Sequence, residues 1–330
     1  MNKPQALSWD VLNIDLAAEA DRIAEKLRDV TANVLKKRGL VVAISGGIDS
    51  STCIGLAVRA LGPQRVHALI LPEKDSSDDS AARAIVLADH LGVKYTKHDL
   101  APALEGIGCY QWRDEAIRSA IPEYGPGWRM KIVLTGGLEG RINHYKIVAV
   151  SPDGKQREER LNLKDYLQIV AATNHKQRLR KTLEYFHADR LNYGCVGTPN
   201  RLEYDQGFFV KNGDGSADVK PIAHLYKTQV YAMAKFLGLP ERLTSAVPTT
   251  DTYSLPQGQD EFYFALPYKQ MDLALWALNH NVPAAELAAV LGISTERAQF
   301  IYDDIVVKRR TTAYLHRPPV LMEKVAEIHL

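Results

Sequence analysis

Between residues 8 and 37, Val11, Leu12, Ile14, Leu16, Ile23, Leu27, Val30 and Val34 recur among charged positions such as Glu19, Asp21, Glu25 and Lys26. This spacing predicts one amphipathic helix, closed by Gly39. Residues 40–44 (LVVAI) then form a short unbroken apolar run rich in β-branched side chains, the pattern of a strand covered on both faces of a parallel sheet. Ser45-Gly46-Gly47 is a turn, and the small residues of 50–61 predict a helix. The unit repeats: VHALIL at 66–71 predicts a strand, a helix follows from about 80 to 91 and stops at Gly92, and 93–98 predicts a third strand. Strands alternating with helices of this length predict an α/β fold with a doubly wound parallel sheet. Ligands of such sheets bind beyond the carboxyl ends of the strands, where SGGIDS falls.

Residues 108–162 break the rhythm. YGPGW, TGG and SPDGK mark turns around the strand-like runs MKIVL and YKIVAV. Ser151-Pro152-Asp153-Gly154 suits a type I turn joining 145–150 to the charged stretch 156–161. The segment reads as an inserted β-hairpin element. Helix resumes over 163–188, strand over 193–197 and helix over 226–237, and a helical C-terminal region occupies 268–330. All 330 residues are read as a single domain.

Composition narrows the class. An apolar fraction of 46% supports a sizeable core, and 41 basic against 39 acidic residues argue against a chain built to coat nucleic acid. Residues 282–305 imitate a helix-turn-helix, but the second helix would present Glu296, Asp303 and Asp304 to a phosphate backbone; a packed helical pair fits better. Cys53, Cys109 and Cys195 are odd in number and without a CxxC pair, so they read as reduced thiols. The histidines show no metal-ligand spacing. The first residues lack a secretory pattern, and no apolar run approaches the ~20 residues that span a bilayer. A cytoplasmic protein is expected, with no membrane and no nucleic-acid partner.

SGGIDSS carries the strongest chemical signal. Successive backbone N–H groups in a Ser-Gly-Gly turn at a helix N-terminus form a nest for anionic oxygen, to which the Ser45 and Ser50 hydroxyls can add donors. Asp49 beside that nest would repel phosphate unless a cation intervened, which suits a magnesium ligand bridging a triphosphate. The GxxxxGK[ST] loop is absent here.

SGGIDS resembles the pyrophosphate loop of the N-type ATP pyrophosphatases, which split ATP between its α- and β-phosphates. Residues 196–240 resemble the signature block of one branch, the NAD synthetases: Gly-Thr followed five residues later by Glu203, then GFFVK, GDGSAD, Pro-Ile and Leu-Tyr-Lys. NHKQRLR at 174–180 is similar to that family's N-x-K-x-R-x-R helix, and PTTD at 248–251 to its PTAD-like segment. The resemblance spans about 40–272 apart from 108–162. It implies an adenine nucleotide α-hydrolase-like sheet and an ammonia-dependent, AMP-forming NAD synthase.

The same resemblance implies roles. Ser45, Gly46, Gly47, Asp49, Ser50, Thr198, Lys227 and Thr249 would contact ATP, with Asp49 and Lys227 catalytic. Asp49 and Glu203 would hold Mg²⁺. Arg178, Lys211, Asp218 and Lys308 would contact deamido-NAD (nicotinic acid adenine dinucleotide), with His316 and Arg317 rivals to Lys308. It also implies a homodimer, with the N-terminal helix and the 163–188 helix in the interface. The 39 residues before the first strand leave no room for the amidase domain of glutamine-dependent relatives, so ammonia is expected free or from a separate glutaminase partner; GTPNRLEY is closer to the glutamine-dependent branch. The 108–162 segment, with Trp112, Trp128, Arg129 and Arg141, is a candidate flap over the bound ligand.

Overall fold

A computed structural model describes residues 6–135, 144–244, 253–255, 263 and 266–328. The apolar run at 40–44 forms β1 (Leu40–Ala43), flanked by β2 (Val66–Ile70), β3 (Lys94–Lys97) and β7 (Gly194–Cys195) in the parallel order β3-β2-β1-β7. Leu40 pairs with Val66, and His67 with Lys94. Side chains alternate across the strands: Leu40, Val42, Ala68 and Ile70 enter a core with α1 (Leu16–Asp29), α2 (Ile48–Leu61), α3 (Asp78–Leu91) and α8 (Lys227–Phe236). Val41, Leu69 and Leu71 enter another with α4 (Ala101–Gly106), α5 (Cys109–Ala120) and α6 (Leu163–Leu191). Both faces are covered at the centre of the sheet, so β1 and most of β2 carry apolar side chains at consecutive positions, whereas the edge strand β3 is polar and largely exposed.

The predicted N-terminal helix is interrupted. A 3₁₀ turn, Trp9–Leu12, precedes α1, whose first turn is capped by the Asp15 carboxylate accepting from the Ala18 amide at 3.0 Å. A π turn, Val30–Val34, follows, and the chain reverses at Lys36, with φ of +53°. Gly39 is therefore no helix cap. It is needed for close approach, since a Cβ there would lie 2.2 Å from the Arg65 carbonyl oxygen.

The 108–162 segment is likewise not wholly β. Its start is α5, which buries Tyr110, Arg113, Ala116 and Ile117 along one helical stripe. The remainder is an antiparallel sheet of β4 (Arg129–Thr135), β5 (His144–Val150) and β6 (Gln156–Arg160) in sequential order. Met130, Ile132 and Ile147 pack on Ile117 of α5 and Ile169 of α6. The 193–197 strand shortens to two paired residues, extended by a single parallel bridge, Val196 to Val219.

Two short helices, α7 (Arg201–Gln206) and α9 (Glu241–Thr244), flank α8 in the chain. Then α10 (Tyr268–Asn279), α11 (Ala284–Leu291) and α12 (Thr295–Thr312) enclose a separate core of Leu273, Leu287, Ala298 and Ile301, among others. The helix-turn-helix-like residues are thus a packed pair, α11 against α12.

Candidate active site

The nest forms where β1 hands over to α2. Gly46 adopts φ of +75°, and an added Cβ would lie 2.6 Å from the Ser80 carbonyl oxygen and 2.8 Å from Arg83 Cβ. Only glycine fits that conformation and that contact. Gly47 is the α2 N-cap. The Ser45 hydroxyl accepts from the Gly47 amide at 3.3 Å, and Ser50 Oγ donates to the Gly47 carbonyl at 3.1 Å. The serines thus brace the turn, and the first amides of α2 supply its anion-binding end.

Asp49, in the first turn of α2, is held from two sides. Its Oδ2 forms an ion pair with Lys227 Nζ, and its Oδ1 accepts from Asn200 Nδ2 at 3.0 Å. Asn200 is fully buried and caps α7: its Oδ1 accepts from the amides of Leu202 and Glu203, and its own amide donates to Glu203 Oε2 at 3.1 Å. One side chain therefore ties Asp49 to the helix start that positions Glu203. Burial alone would push the Lys227 ammonium down, but the Asp49 and then Glu203 carboxylates outweigh it and hold its pKa above the ordinary lysine range. Asp272 on α10 secures the other end by accepting from the Lys227 and Thr228 amides at 3.1 and 2.7 Å.

Ser45, Gly46, Gly47, Asp49, Ser50, Thr198, Glu203 and Lys227 all line one cavity of about 450 Å³. Sequence reasoning missed several of its neighbours. Asn200 was announced by the N-x-x-E pattern of a capping box. Arg180 and Lys181 also line it; Lys181 forms a buried pair with Glu184 at 2.6 Å. Burial pushes the Glu184 carboxyl up, with Lys181 opposing. Aromatic side chains, Tyr145 of β5 and Tyr166 of α6, add a wall and stack at 4.0 Å between centroids.

The residues expected to contact the dinucleotide are elsewhere. Arg178 and Lys211 line an adjoining hollow of about 230 Å³ with Tyr314, which shares Asn174, Phe209 and Val210 with the cavity. Arg178 Nε donates to the Lys211 carbonyl at 3.2 Å, and Lys211 Nζ donates to the carbonyls of Tyr314 and Arg317 at 2.8 and 2.9 Å. Asp218 accepts from the Cys195 amide at 2.7 Å, stitching the loop after α7 to β7. Lys308 Nζ contacts Asp304 and the Tyr263 carbonyl, both at 2.6 Å, one residue behind the cavity wall. The His316 ring sits edge-on to Tyr204 and Phe209. Thr249 and the PTTD segment lie outside the described residues. Of the residues expected in the flap, Arg141 also lies outside them, and Trp112, Trp128 and Arg129 are not among the cavity's lining; Tyr145 reaches it instead. Burial raises the pKa of all three cysteine thiols, Cys195 to about 12, so none of them is an activated nucleophile.

The site is therefore a glycine turn with free helix-start amides at the carboxyl edge of a parallel sheet, with two carboxylates and a buried lysine around it, an arrangement suited to an anionic ligand. Comparison with known proteins carries this further. The NAD synthase family model matches residues 19–135 and 141–313, and the chain belongs to that family. It is 53% identical over 322 residues to the NH(3)-dependent NAD(+) synthetase of Rhizobium meliloti (strain 1021), covering 97% of this chain and 96% of the relative.

Among solved structures, NMN synthetase from Francisella tularensis aligns at a TM-score of 0.63 with 20% identity, covering 94% of this chain and 99% of that one. The NH3-dependent NAD synthetase from Campylobacter jejuni aligns at 0.61, also with 20% identity, over 94% and 100%. These likenesses establish the fold. The family match runs through most of 108–162 and breaks only at 136–140, so α5 and most of the β4–β6 sheet lie within the matched region and do not stand outside it as an addition.

Proposed function

We propose that the protein is a ligase that joins ammonia to the nicotinate carboxyl group of deamido-NAD, driven by cleavage of ATP to AMP and pyrophosphate, and so forms NAD. The observation that carries this reading is the Asp49–Asn200–Glu203 arrangement, with Lys227 on Asp49, in the cavity that begins at the nest.

A nicotinate carboxylate oxygen attacks the α-phosphorus, and the bond from that phosphorus to the bridging oxygen of the β-phosphate breaks. Lys227 and the α2 amides meet the charge that develops on the departing pyrophosphate. Ammonia then attacks the acyl carbon of the adenylate, loses a proton, and AMP leaves. The protein's work is positioning and charge stabilisation; no side chain forms a covalent bond.

Asp49 and Glu203 fit a Mg²⁺ ion: they are hard oxygen donors, brought to one cavity by Asn200. No group of three or more His, Cys, Asp or Glu that could hold a metal occurs among the described residues, and magnesium commonly takes only one or two carboxylates, completing its shell with phosphate and water. When bound, Mg²⁺ neutralises charge on the triphosphate. The β4–β6 sheet is the flap of this reading, with Tyr145 and Tyr166 as the wall that keeps water from the acyl-adenylate.

A homodimer belongs to the same proposal. Leu163, Leu167 and Phe186 on α6 are exposed apolar side chains that an interface would cover, and light scattering tests it: an active monomer at assay concentration overturns the dimer. Ammonia arrives free or from a separate glutaminase, and the reaction takes place in the cytoplasm; no described helix is long and apolar enough to cross a membrane. Supplying ATP, Mg²⁺, ammonium and deamido-NAD is expected to yield AMP and NAD one to one. AMP formation that ignores deamido-NAD, or no ATP consumption at all, contradicts the reading.

A further inference from the structure

Charge around the nest is unevenly matched. Lys227 answers Asp49 and Lys181 answers Glu184, each within the cavity. Arg83, on the second turn of α3, also lines the cavity, and its backbone neighbour Ser80 and its own Cβ press against Gly46 at the centre of the nest. Its Nη1 is held by Asp79, while its Nε is buried without a hydrogen-bond partner among the described residues. A buried guanidinium N–H left unpaired is costly, and guanidinium donors match phosphate oxygens closely. The carboxylate that holds Arg83 is itself shared: Arg242 of α9 contacts the other oxygen of Asp79. Two arginines on one carboxylate leave a surplus positive charge beside the turn.

We infer that Arg83 is a further phosphate-contacting residue, donating to the outer phosphates of ATP and to the pyrophosphate that leaves, with Asp79 as the positioning residue that aims it. The ligand chemistry is that of a nucleoside triphosphate tail or free inorganic pyrophosphate. Arg83 stabilises the departing group from the α3 side of Gly46 while Lys227 does so from the α8 side. Asp79, bridged to Arg242, couples the start of α3 to α9. The inference rests on the proposed ATP-cleaving function.

The experiment compares wild type with Arg83→Gln and Asp79→Asn, measuring KM for ATP, KM for deamido-NAD, inhibition by inorganic pyrophosphate, and direct calorimetric binding of ATP and of pyrophosphate. Thermal melts accompany each variant. Arg83→Gln is expected to raise KM for ATP and weaken pyrophosphate binding by about tenfold, the scale of one charge-assisted phosphate contact, with KM for deamido-NAD unchanged. Asp79→Asn is expected to change pyrophosphate affinity while ammonia and deamido-NAD dependence stay as they were.

If Arg83→Gln folds and binds ATP and pyrophosphate within twofold of wild type, the inference is overturned and Arg83 merely packs on Gly46. If Arg83→Gln does not fold, Arg83→Lys serves in its place, keeping the charge and losing the fork; unchanged pyrophosphate affinity there overturns the inference equally. Failure of wild type to bind ATP at all would instead count against the proposed function.

Discussion

The nest end of the site and the residues expected at a dinucleotide end are built in opposite ways. Around the nest, Asp49, Glu203 and Lys227 line one cavity, and the buried Asn200 behind them ties Asp49 to Glu203. Each is fixed by the start of a helix: Asp49 by α2, Asn200 and Glu203 by the α7 capping box, and Lys227 by α8 with Asp272 holding its amide. Helix starts are rigid and locally specified, so the charges are in place before any ligand arrives. Arg178 and Lys211, by contrast, give donors to backbone carbonyls across a second hollow, two of those carbonyls belonging to the C-terminal segment at Tyr314 and Arg317. The lesson is that preorganisation is concentrated where the proposed reaction would develop charge.

Substitutions can break that contrast. The largest effect is expected at the proposed metal-binding pair: Asp49→Asn and Glu203→Gln preserve shape, and each is expected to leave well under a tenth of wild-type turnover, a loss beyond ~1.4 kcal/mol of barrier, with a melt close to wild type for Glu203→Gln and a lowered one for Asp49→Asn, which leaves the buried Lys227 without its ion pair. Activity above a tenth in either variant removes that carboxylate from the metal role. Next come Lys211→Ala and Arg178→Ala, for which steady-state kinetics should show KM for deamido-NAD raised about three- to tenfold and KM for ATP unchanged, the range of a single exposed charged contact. A rise in KM for ATP instead would erase the division between the two ends.

Tyr145→Ala tests the aromatic wall. It is expected to raise AMP formed per NAD above one, because water then competes with ammonia for the acyl-adenylate. A ratio that stays at one makes the β4–β6 sheet a packing unit alone.

The smallest effect concerns Asp272, whose carboxyl burial pushes up to about 7, against the pull of the Thr228 amide it accepts from. The folded state therefore keeps a proton there that the unfolded chain releases near 4. This contribution to stability is full below that value and is lost as pH rises through about 7. Chemical denaturation from pH 4 to 8 should show a weaker fall in stability across this window for Asp272→Asn than for wild type; parallel curves contradict the assignment.

How much of this was legible follows the same division. SGGIDS is contiguous and directly follows a buried strand, so the turn, the place of Asp49 at the helix start and the sheet could be read directly. The Asn200 link was also written locally, as N-x-x-E, but its reach to Asp49 joins residues 151 apart and needed the fold. α5 was obscured because the glycines and prolines downstream coloured the whole segment, although Tyr110, Arg113 and Ile117 have helical spacing. Gly39 was misread because a glycine after a helix suggests a cap, whereas here the reversal falls on Lys36. The tie from Lys211 to Tyr314 joins residues 103 apart through a side chain and a carbonyl, and no local pattern announces it.

The most direct test follows oxygen. Deamido-NAD labelled with ¹⁸O in the nicotinate carboxylate, turned over with ATP and ammonium, should transfer one labelled oxygen to AMP, because that oxygen becomes the bridge of the acyl-adenylate and leaves with the phosphate. Mass spectrometry of the AMP and pyrophosphate reads the outcome. Label in AMP and none in pyrophosphate is the result expected here; unlabelled AMP, or label in pyrophosphate, contradicts attack by the carboxylate on the α-phosphorus held at this nest.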